Sequence, residues 1–362
     1  MKEATNSFSF LFITGRPRSG TTLLRMLLDA HPNVIIPTEC QFIVNLYGKY
    51  GHRKNWTNHD FESFLSDLQL QWKFNMWHID LELLRQSLQN LRIGCTYADV
   101  CRAVYHSYKS IFSKSEITLL ADKNPGYAIY TKKISSIFPD ARFIYINRDY
   151  RDNYVSIKEV GFDLSIPSLP AQKWKYFYRT FMASARVRPE NYLYLRYEDL
   201  VMRPQETMSQ VCGFAGIPYD QKMFSFHEKH MDFSRLYNPL VLSKFHRQIF
   251  APVNQSRLGI WKEKLTAKEI CLLDCTVGRL ASEAGYEPMS VHANLKIHVS
   301  ALPGRLLAAT LFVATKVVDK LPVGLRMNIL SKWPRKAGMF VFSIVKQDIY
   351  KQLKQNSLCF FF

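Results

Sequence analysis

The sequence lacks the cysteine arrangement of a protein held together by disulfide bonds. Its seven cysteines include no C-x-x-C pair and follow no regular spacing. Scattered thiols of this kind are typical of a reducing compartment, so we expect a cytoplasmic protein. Cys271 and Cys275 lie about one helical turn apart, and we expect both to be core residues rather than metal ligands.

The sequence also shows no pattern typical of an export signal or of a membrane-spanning helix. The N-terminus reaches its first apolar segment without the basic region, long apolar stretch and small-residue cleavage site of a signal peptide. Near the C-terminus, the apolar run Leu306–Ala314 is short, and Lys316 follows it closely. A transmembrane helix needs about 20 apolar residues, so we expect no spanning helix there.

Acidic residues are scarce relative to basic ones. The 30 Asp+Glu stand against 48 Lys+Arg, which gives a net charge of +18. That excess suits an anionic substrate, a nucleic acid or an acidic membrane surface. Because no recognisable nucleic-acid-binding motif accompanies it, we expect no nucleic acid partner. The hydrophobic fraction, 47% of 362 residues, is enough for one large core, alone or with a small appendage.

Short apolar segments alternate with helical patterns along the chain. The expected strands are Phe8–Ile13, Val34–Ile36, Ile117–Leu120, Arg142–Ile146 and Tyr192–Leu195. The expected helices are Thr22–Ala30, Phe61–Leu70, Leu81–Leu91, Tyr97–Phe112, Tyr127–Phe138, Arg151–Glu159, Ala171–Val187, Pro204–Ala215 and Ala267–Ala284. This alternation predicts an α/β fold with a parallel central sheet flanked by helices. The Trp-rich helical insertion Phe61–Phe112 has two open interpretations, an acceptor-binding cap or a plain packed layer.

The segment Gly15-Arg16-Pro17-Arg18-Ser19-Gly20-Thr21-Thr22 follows the first strand and opens a helix. Its glycines permit a turn whose amides point inward at the helix N-terminus, which predicts a phosphate-binding loop. The spacing is that of a P-loop, but Thr21 stands where nucleoside triphosphatases have lysine. The arginines of the turn therefore supply charge to another anionic group. The alternative is an ordinary Gly- and Ser-rich strand-to-helix turn.

This loop, with the following Met26-Leu-Leu-Asp29-Ala-His31-Pro32, resembles the 5′-phosphosulfate loop of sulfotransferases that use 3′-phosphoadenosine 5′-phosphosulfate (PAPS). The likeness is to the bacterial and tyrosylprotein branch and runs in patches from Phe8 to Tyr286. It implies a P-loop-containing nucleotide hydrolase-like fold and PAPS as co-substrate without a metal. The Golgi-type anchor of animal relatives is not expected here. The implied donor-binding residues of the loop are Arg16, Arg18, Ser19, Gly20, Thr21 and Thr22.

Further motifs match the same family. Arg148 and Ser156 resemble the pair that grips the 3′-phosphate, although Arg148 has a second interpretation as an arginine capped by neighbouring aspartates. Tyr197 and the late loop with Ser256 and Arg257 are implied to contact the nucleotide. That loop departs from the tyrosylprotein pattern, because Gly259-Ile260 replaces the expected serine and lysine.

Transfer to a hydroxyl needs a cation for the leaving group and a base for the proton. The resemblance assigns the first role to Lys123 and the second to Glu39, with Arg18 beside them. Two alternatives are open: Lys123 as a solvated loop lysine, and Glu39 as a complement to a helix dipole after a Thr38 cap. His31, which precedes a proline, is expected to be structural.

The sequence divides into a predicted sulfotransferase domain, residues 1–290, and a basic amphipathic helical extension, residues 291–362. From Leu295 onward eleven Lys and Arg face two Asp, a net charge of +9. These helices either lie peripherally on an anionic inner membrane surface or pack on the domain.

The expected function is sulfuryl transfer to a small-molecule hydroxyl acceptor, with a lipophilic alcohol such as a sterol or lipid favoured over a sugar, phenol or tyrosine. A P-loop kinase and a basic membrane- or nucleic-acid-binding module are the alternative functions. The oligomeric state is not predicted.

Overall fold

The computed structural model describes residues 9–235, 250–289, 294–321 and 324–325. The chain divides into two compact units, Met1–Leu306 and Leu307–Phe362. This division falls later than the boundary after residue 290 that we drew from composition, and the functional boundary stays a prediction.

Five parallel strands form the central sheet of the first unit, in the order β2-β3-β1-β4-β5. Their bounds are β1 Ser9–Gly15, β2 Val34–Ile35, β3 Leu119–Lys123, β4 Arg142–Asn147 and β5 Tyr192–Arg196. Aliphatic and aromatic residues fill β1, β3 and β4, which are almost entirely buried because helices cover both faces. The predicted parallel α/β sheet is confirmed at all five positions; Phe8 lies outside the described residues.

Helices connect the strands and cover the sheet. They are α1 Thr21–Ala30, α2 Phe42–Tyr50, α3 Asn58–Gln69, α4 Leu81–Gln89, α5 Tyr97–His106, α6 Thr131–Ile137, α7 Tyr150–Val160, α8 Ser168–Ala185, α9 Tyr197–Met202, α10 Pro204–Ala215, α11 Trp261–Lys264, α12 Ala267–Val277, α13 Leu280–Glu283 and α14 Leu295–Val318. Short 3₁₀ segments occupy Phe74–Trp77, Pro125–Ile129, Pro189–Asn191 and Gln221–Arg235.

Several helix predictions differ from the structure; the helix predicted at Tyr97–Phe112, for example, ends at His106. The helix predicted at Ala267–Ala284 is two helices, because Gly278 adopts a positive φ of 62° after α12. The region predicted as Tyr127–Phe138 begins with the 3₁₀ segment at Pro125–Ile129, since a proline at the start favours a tight turn. Helix α2 was not predicted at all, because its sequence is apolar and aromatic without a clear cap.

The Trp-rich insertion is a packed helical layer with its own aromatic core. Trp77 is 1% exposed, and its indole donates to the Thr38 carbonyl at 2.9 Å. Trp56 stacks on Tyr50 and Phe61 with ring centroids 5.7 and 5.3 Å apart. These aromatic faces contact one another, so the layer supports the second of the two interpretations of this insertion.

Helix α14 corrects an expectation about the C-terminal segment. It runs for 24 residues, and an 18-residue window of it has a mean hydropathy of 1.5, which by length and composition is enough to cross a membrane. The expectation that no apolar run there reaches spanning length was wrong by that criterion. We had counted only Leu306–Ala314, whereas the helix continues through Pro303 and Gly304, two residues that usually interrupt helices.

A buried ion pair holds α1 against the chain that leaves it. Arg25, which is fully buried, donates to Asp29 at 2.9 Å and to the Ile36 carbonyl at 3.1 and 3.0 Å. Asp29 also accepts from Ser110 at 2.8 Å. These bonds fix the segment after β2 that carries Glu39, so the pair positions the site as well as the core.

We expect Arg25→Met to lower the free energy of unfolding by about 3–5 kcal/mol, because it leaves a buried carboxylate with less compensation. Arg203→Met is the matched control: its pair with Asp199 is 60% exposed on the arginine side and should be worth at most about 1 kcal/mol. Urea unfolding of both variants measures the difference. Equal losses of unfolding free energy in the two variants would show that the Arg25 ion pair stabilises the fold no more than an exposed ion pair does.

Candidate active site

Three neighbouring strands end at one edge of the sheet and carry the predicted site residues. Strand β1 leads into the turn 15–20, β3 ends at Lys123, and Arg148 directly follows β4. These strands are adjacent in the order β3-β1-β4, so their carboxyl ends meet where open α/β sheets bind ligands. The topology therefore brings together residues that are more than 100 positions apart in the sequence.

The turn after β1 has the backbone of an anion-binding loop. Gly20 has φ 94° and caps α1 without a side chain, and a Cβ there would overlap the ring of Tyr197. Arg18 also has a positive φ, 72°, which is uncommon for a residue other than glycine. Asn153 braces the turn by donating to the Pro17 carbonyl at 2.9 Å and to the buried Ser19 hydroxyl at 3.2 Å. Thr21 and Thr22 begin α1 directly behind it.

Arg18 and Arg148 meet beside Ser156. The Arg18 Nε donates to the Ser156 hydroxyl at 3.1 Å, and Arg148 donates to the Arg18 carbonyl at 3.5 Å. The Arg148 guanidinium lies 4.8 Å from the centroid of the Tyr197 ring. Its Nε–H is buried and has no hydrogen-bond partner within the described part of the chain, a donor that an anion could satisfy.

The late loop closes over these residues through one carboxylate. Asp152 accepts from the backbone N–H of Gly259 at 2.8 Å and of Trp261 at 3.0 Å. Arg148 in turn donates to the Arg257 carbonyl. The loop therefore contacts the site through backbone atoms, although its sequence departs from the family pattern at Gly259-Ile260.

Positive charge is concentrated at this point. Burial, followed by the nearby Arg148 and Arg257 charges, lowers the pKa of Arg18 to about 10. Arg18 still carries its charge at neutral pH, so three guanidinium groups influence one another across a small space. Such repulsion is relieved when a multiply charged anion binds between them. The alternative interpretation of Arg148, an arginine capped by neighbouring aspartates, holds only in part, since its guanidinium lies 4.0 Å from the Asp152 carboxylate.

Three predicted donor-binding residues have other contacts in the structure. The Arg16 guanidinium pairs with Asp163 at 3.2 Å and lies 5.6 Å from the Phe177 ring centroid. Ser256 is exposed, and its hydroxyl donates to Asn254 at 2.5 Å. The Arg257 guanidinium pairs with Glu159 at 2.5 Å. The role of these three residues toward the donor stays a prediction.

Lys123, which is buried, and Glu39, whose side chain is 24% exposed, form an ion pair at the end of β3. The Lys123 Nζ donates to Glu39 at 2.5 Å and to the Thr22 hydroxyl at 3.4 Å, and the lysine is 1% exposed. Lys123 is therefore not a solvated loop lysine. The alternative for Glu39 was that Thr38 caps the next helix and Glu39 complements the helix dipole. This alternative is wrong, because α2 begins at Phe42 and Gln41 occupies the N-cap position.

A second lysine contacts the same carboxylate. Lys73 donates to Glu39 at 2.9 Å and lies 4.0 Å from the Trp72 ring centroid. Although burial alone would raise it, the two lysines hold the pKa of Glu39 well below its ordinary value. Lys73 was missed in the sequence because it lies in an apolar helical insertion, 34 residues after Glu39. The only local signal was a lysine between two aromatic residues.

His31 has both ring nitrogens in use. Its Nε2 lies 2.8 Å from the Pro218 carbonyl, and its Nδ1 accepts from the Asn33 N–H at 3.1 Å. Burial lowers the pKa of this imidazole, so it stays neutral. The expectation that His31 is structural is confirmed. Among the residues that the structure describes, no group of three or more His, Cys, Asp or Glu side chains is arranged to hold a metal ion.

Comparisons with known proteins agree with this geometry. The model of the family described as "Sulfotransferase family" matches residues 11–221. The protein-tyrosine sulfotransferase of Drosophila melanogaster is 27% identical over 289 residues, 77% of this chain and 52% of that protein. Protein-tyrosine sulfotransferase 1 of Danio rerio is 27% identical over 295 residues, 78% of this chain and 73% of that protein. The chain thus spans only about half the length of the fly relative.

A solved structure shares the fold. The sulfotransferase domain of the Synechococcus PCC 7002 olefin synthase superposes with a TM-score of 0.54 at 20% identity, covering 79% of this chain and 98% of that domain. The family model covers more than half of the chain and includes Arg18, Glu39, Lys123, Arg148 and Ser156. The chain therefore belongs to the sulfotransferase family of enzymes, with its P-loop-containing nucleotide hydrolase-like fold.

Proposed function

We propose that this chain transfers a sulfuryl group from PAPS to a phenolic hydroxyl, with a tyrosine side chain of a protein as the acceptor. The observation that carries the reaction is the Lys123–Glu39 ion pair beside a glycine turn lined by arginines. The acceptor oxygen forms a bond to sulfur while the bond from sulfur to the bridging phosphate oxygen breaks. The acceptor proton goes to Glu39, and adenosine 3′,5′-bisphosphate leaves.

The donor would be held at both of its charged ends. The turn amides fit the 5′-phosphosulfate, since the turn leads into the N-terminus of α1. Arg18 belongs to the same turn, and its side chain reaches Ser156, so it would lie between the two charged ends of the donor. Arg148 and Ser156 fit the 3′-phosphate, which distinguishes PAPS from ATP. Arg257 and Tyr197 flank Arg148 from the loop and from α9. This division of roles explains why Thr21 replaces the P-loop lysine that kinases need.

The lysine pair gives Glu39 a different basicity before and during the reaction. With both lysines in contact, Glu39 is ionised but is a weak base. When Lys123 turns to the negative charge that develops on the leaving group, Glu39 keeps only Lys73, and its pKa rises. A stronger base would then be present at the stage when the acceptor proton must leave.

The acceptor proposal replaces the lipophilic alcohol favoured by composition. That preference depended on the Trp-rich insertion, whose Trp77 and Phe74 are 1% and 4% exposed and so form core rather than a ligand surface. The curated relatives described above are named protein-tyrosine sulfotransferases. A tyrosine hydroxyl fits a carboxylate base because the phenol is more acidic than an alcohol. The cytoplasmic location stays a prediction.

Adenosine 3′,5′-bisphosphate should raise the melting temperature of the chain far more than ADP or ATP does. Arg148→Ala should weaken bisphosphate binding about 10- to 100-fold, since a charge-assisted bond to the 3′-phosphate is lost, and should change ADP binding little. Arg203→Ala, an exposed arginine on α9–α10, is the control. Equal shifts for ADP and the bisphosphate would overturn the donor assignment and favour a kinase.

Glu39→Gln should reduce turnover of a tyrosine-containing peptide by about two to four orders of magnitude, because only proton removal is lost. Bisphosphate affinity should stay unchanged in the same variant. The control is Glu116→Gln, at an exposed acidic residue before β3. Near-normal turnover by Glu39→Gln would remove this residue from the base role.

Lys73→Met should move the acidic limb of the kcat/KM profile to higher pH. Removing one cation stabilises the protonated form of Glu39, so its pKa rises and the base is lost earlier as the pH falls. Lys49→Met, which removes an exposed lysine paired with Asp67, should leave the limb in place. A uniform loss of rate at every pH would show that Lys73 acts only on structure.

A further inference from the structure

Helix α14 exposes apolar side chains at regular intervals. Within the first unit, Leu295, Val299 and Leu302 are 78%, 55% and 45% exposed, and Leu306 is 64% exposed. Their spacing of four, three and four residues places them on one face of a helix. We call this face, formed by Leu295, Val299, Leu302 and Leu306, the apolar stripe.

The stripe is narrow. At 3.6 residues per turn, its four side chains fall within about 60° of the helix circumference. Isolated exposed apolar residues are normal, but a continuous line of this length marks an interaction surface.

The opposite face of the first part of α14 is held by the first unit. Ala301 is fully buried, and a Cβ on Gly304 would overlap the Ser168 hydroxyl. Arg305 donates to the Cys275 carbonyl at 2.7 Å. A helix attached along one side cannot be surrounded by lipid, so this geometry favours a helix lying on a surface over one that crosses a bilayer.

The positive charge of this part of the chain indicates which kind of partner the apolar stripe contacts. Lys296 in the first unit and Lys316 in the second are both exposed, and the chain from Leu295 to its end carries a net charge of +9. If a second copy of the chain docked through this face, the positive charges of the two copies would lie close together and repel each other. An anionic bilayer offers both acyl chains for the stripe and negative headgroups for the lysines.

We propose that the apolar stripe of α14 docks the protein on the surface of an anionic membrane. The stripe enters the boundary between headgroups and acyl chains, and the exposed lysines reach the headgroups. Binding is reversible and depends on salt, because part of the attraction is between exposed charges. This proposal does not depend on the reaction that the enzyme performs.

The test uses the full chain and sedimentation with vesicles of phosphatidylcholine, with or without phosphatidylserine. We expect the protein to pellet with the phosphatidylserine vesicles at low salt and to remain in solution with the neutral ones or at high salt. Val299→Glu with Leu302→Glu should reduce the partition coefficient at least about tenfold. Ile93→Glu with Leu70→Glu, at residues that are 101% and 74% exposed, carries the same change of charge elsewhere and should bind like the unchanged chain.

Several results would overturn the proposal. They are the absence of binding to acidic vesicles, equal binding to both vesicle types at all salt concentrations, and undiminished binding of the stripe variant. A change from dimer to monomer in the stripe variant, seen by size exclusion without vesicles, would assign the stripe to a second copy. If the stripe variant fails to fold, Lys296→Gln with Lys316→Gln provides the second measurement: weaker binding at low salt is expected, and unchanged binding would contradict docking.

Discussion

Concentrated positive charge at the carboxyl edge of the sheet is the constraint on which the site depends. The guanidinium groups of Arg18, Arg148 and Arg257 would separate if nothing held them. Asp152 counters this by binding the late loop through two backbone N–H groups near Arg148. The protein thus keeps a preorganised set of donors, and the cost of assembling them is met in folding rather than during binding.

The surroundings of Glu39 are preorganised in the same way, but here one carboxylate is held by two cations. Glu39 is a carboxylate held between Lys73 and Lys123, so it is positioned and ionised before any acceptor arrives. One of these lysines belongs to the helical insertion and the other to β3. The insertion therefore contributes a cation to the site, although its aromatic residues pack among themselves.

Local patterns made much of the fold predictable. The strands were found because buried parallel strands are continuous apolar runs, and the phosphate turn was found because its glycines and arginines are contiguous in sequence. The positions of Glu39, Lys123 and Arg148 near strand ends were predictable from motifs, and their roles stay predictions. The contact of Lys73 with Glu39 was not predictable, because it joins residues 34 positions apart.

The C-terminal helix shows where local reasoning fails. The short apolar run Leu306–Ala314 and the nearby Lys316 suggested short helices, yet α14 is continuous, and at Gly304 the missing side chain allows close contact with Ser168. The amino-acid sequence by itself determined the parallel α/β sheet and the anion-binding turn, since both depend on periodicity and on residues adjacent in the chain. Only the tertiary structure decided which cations surround Glu39 and Arg148, and which face of α14 stays exposed, because these depend on long-range packing.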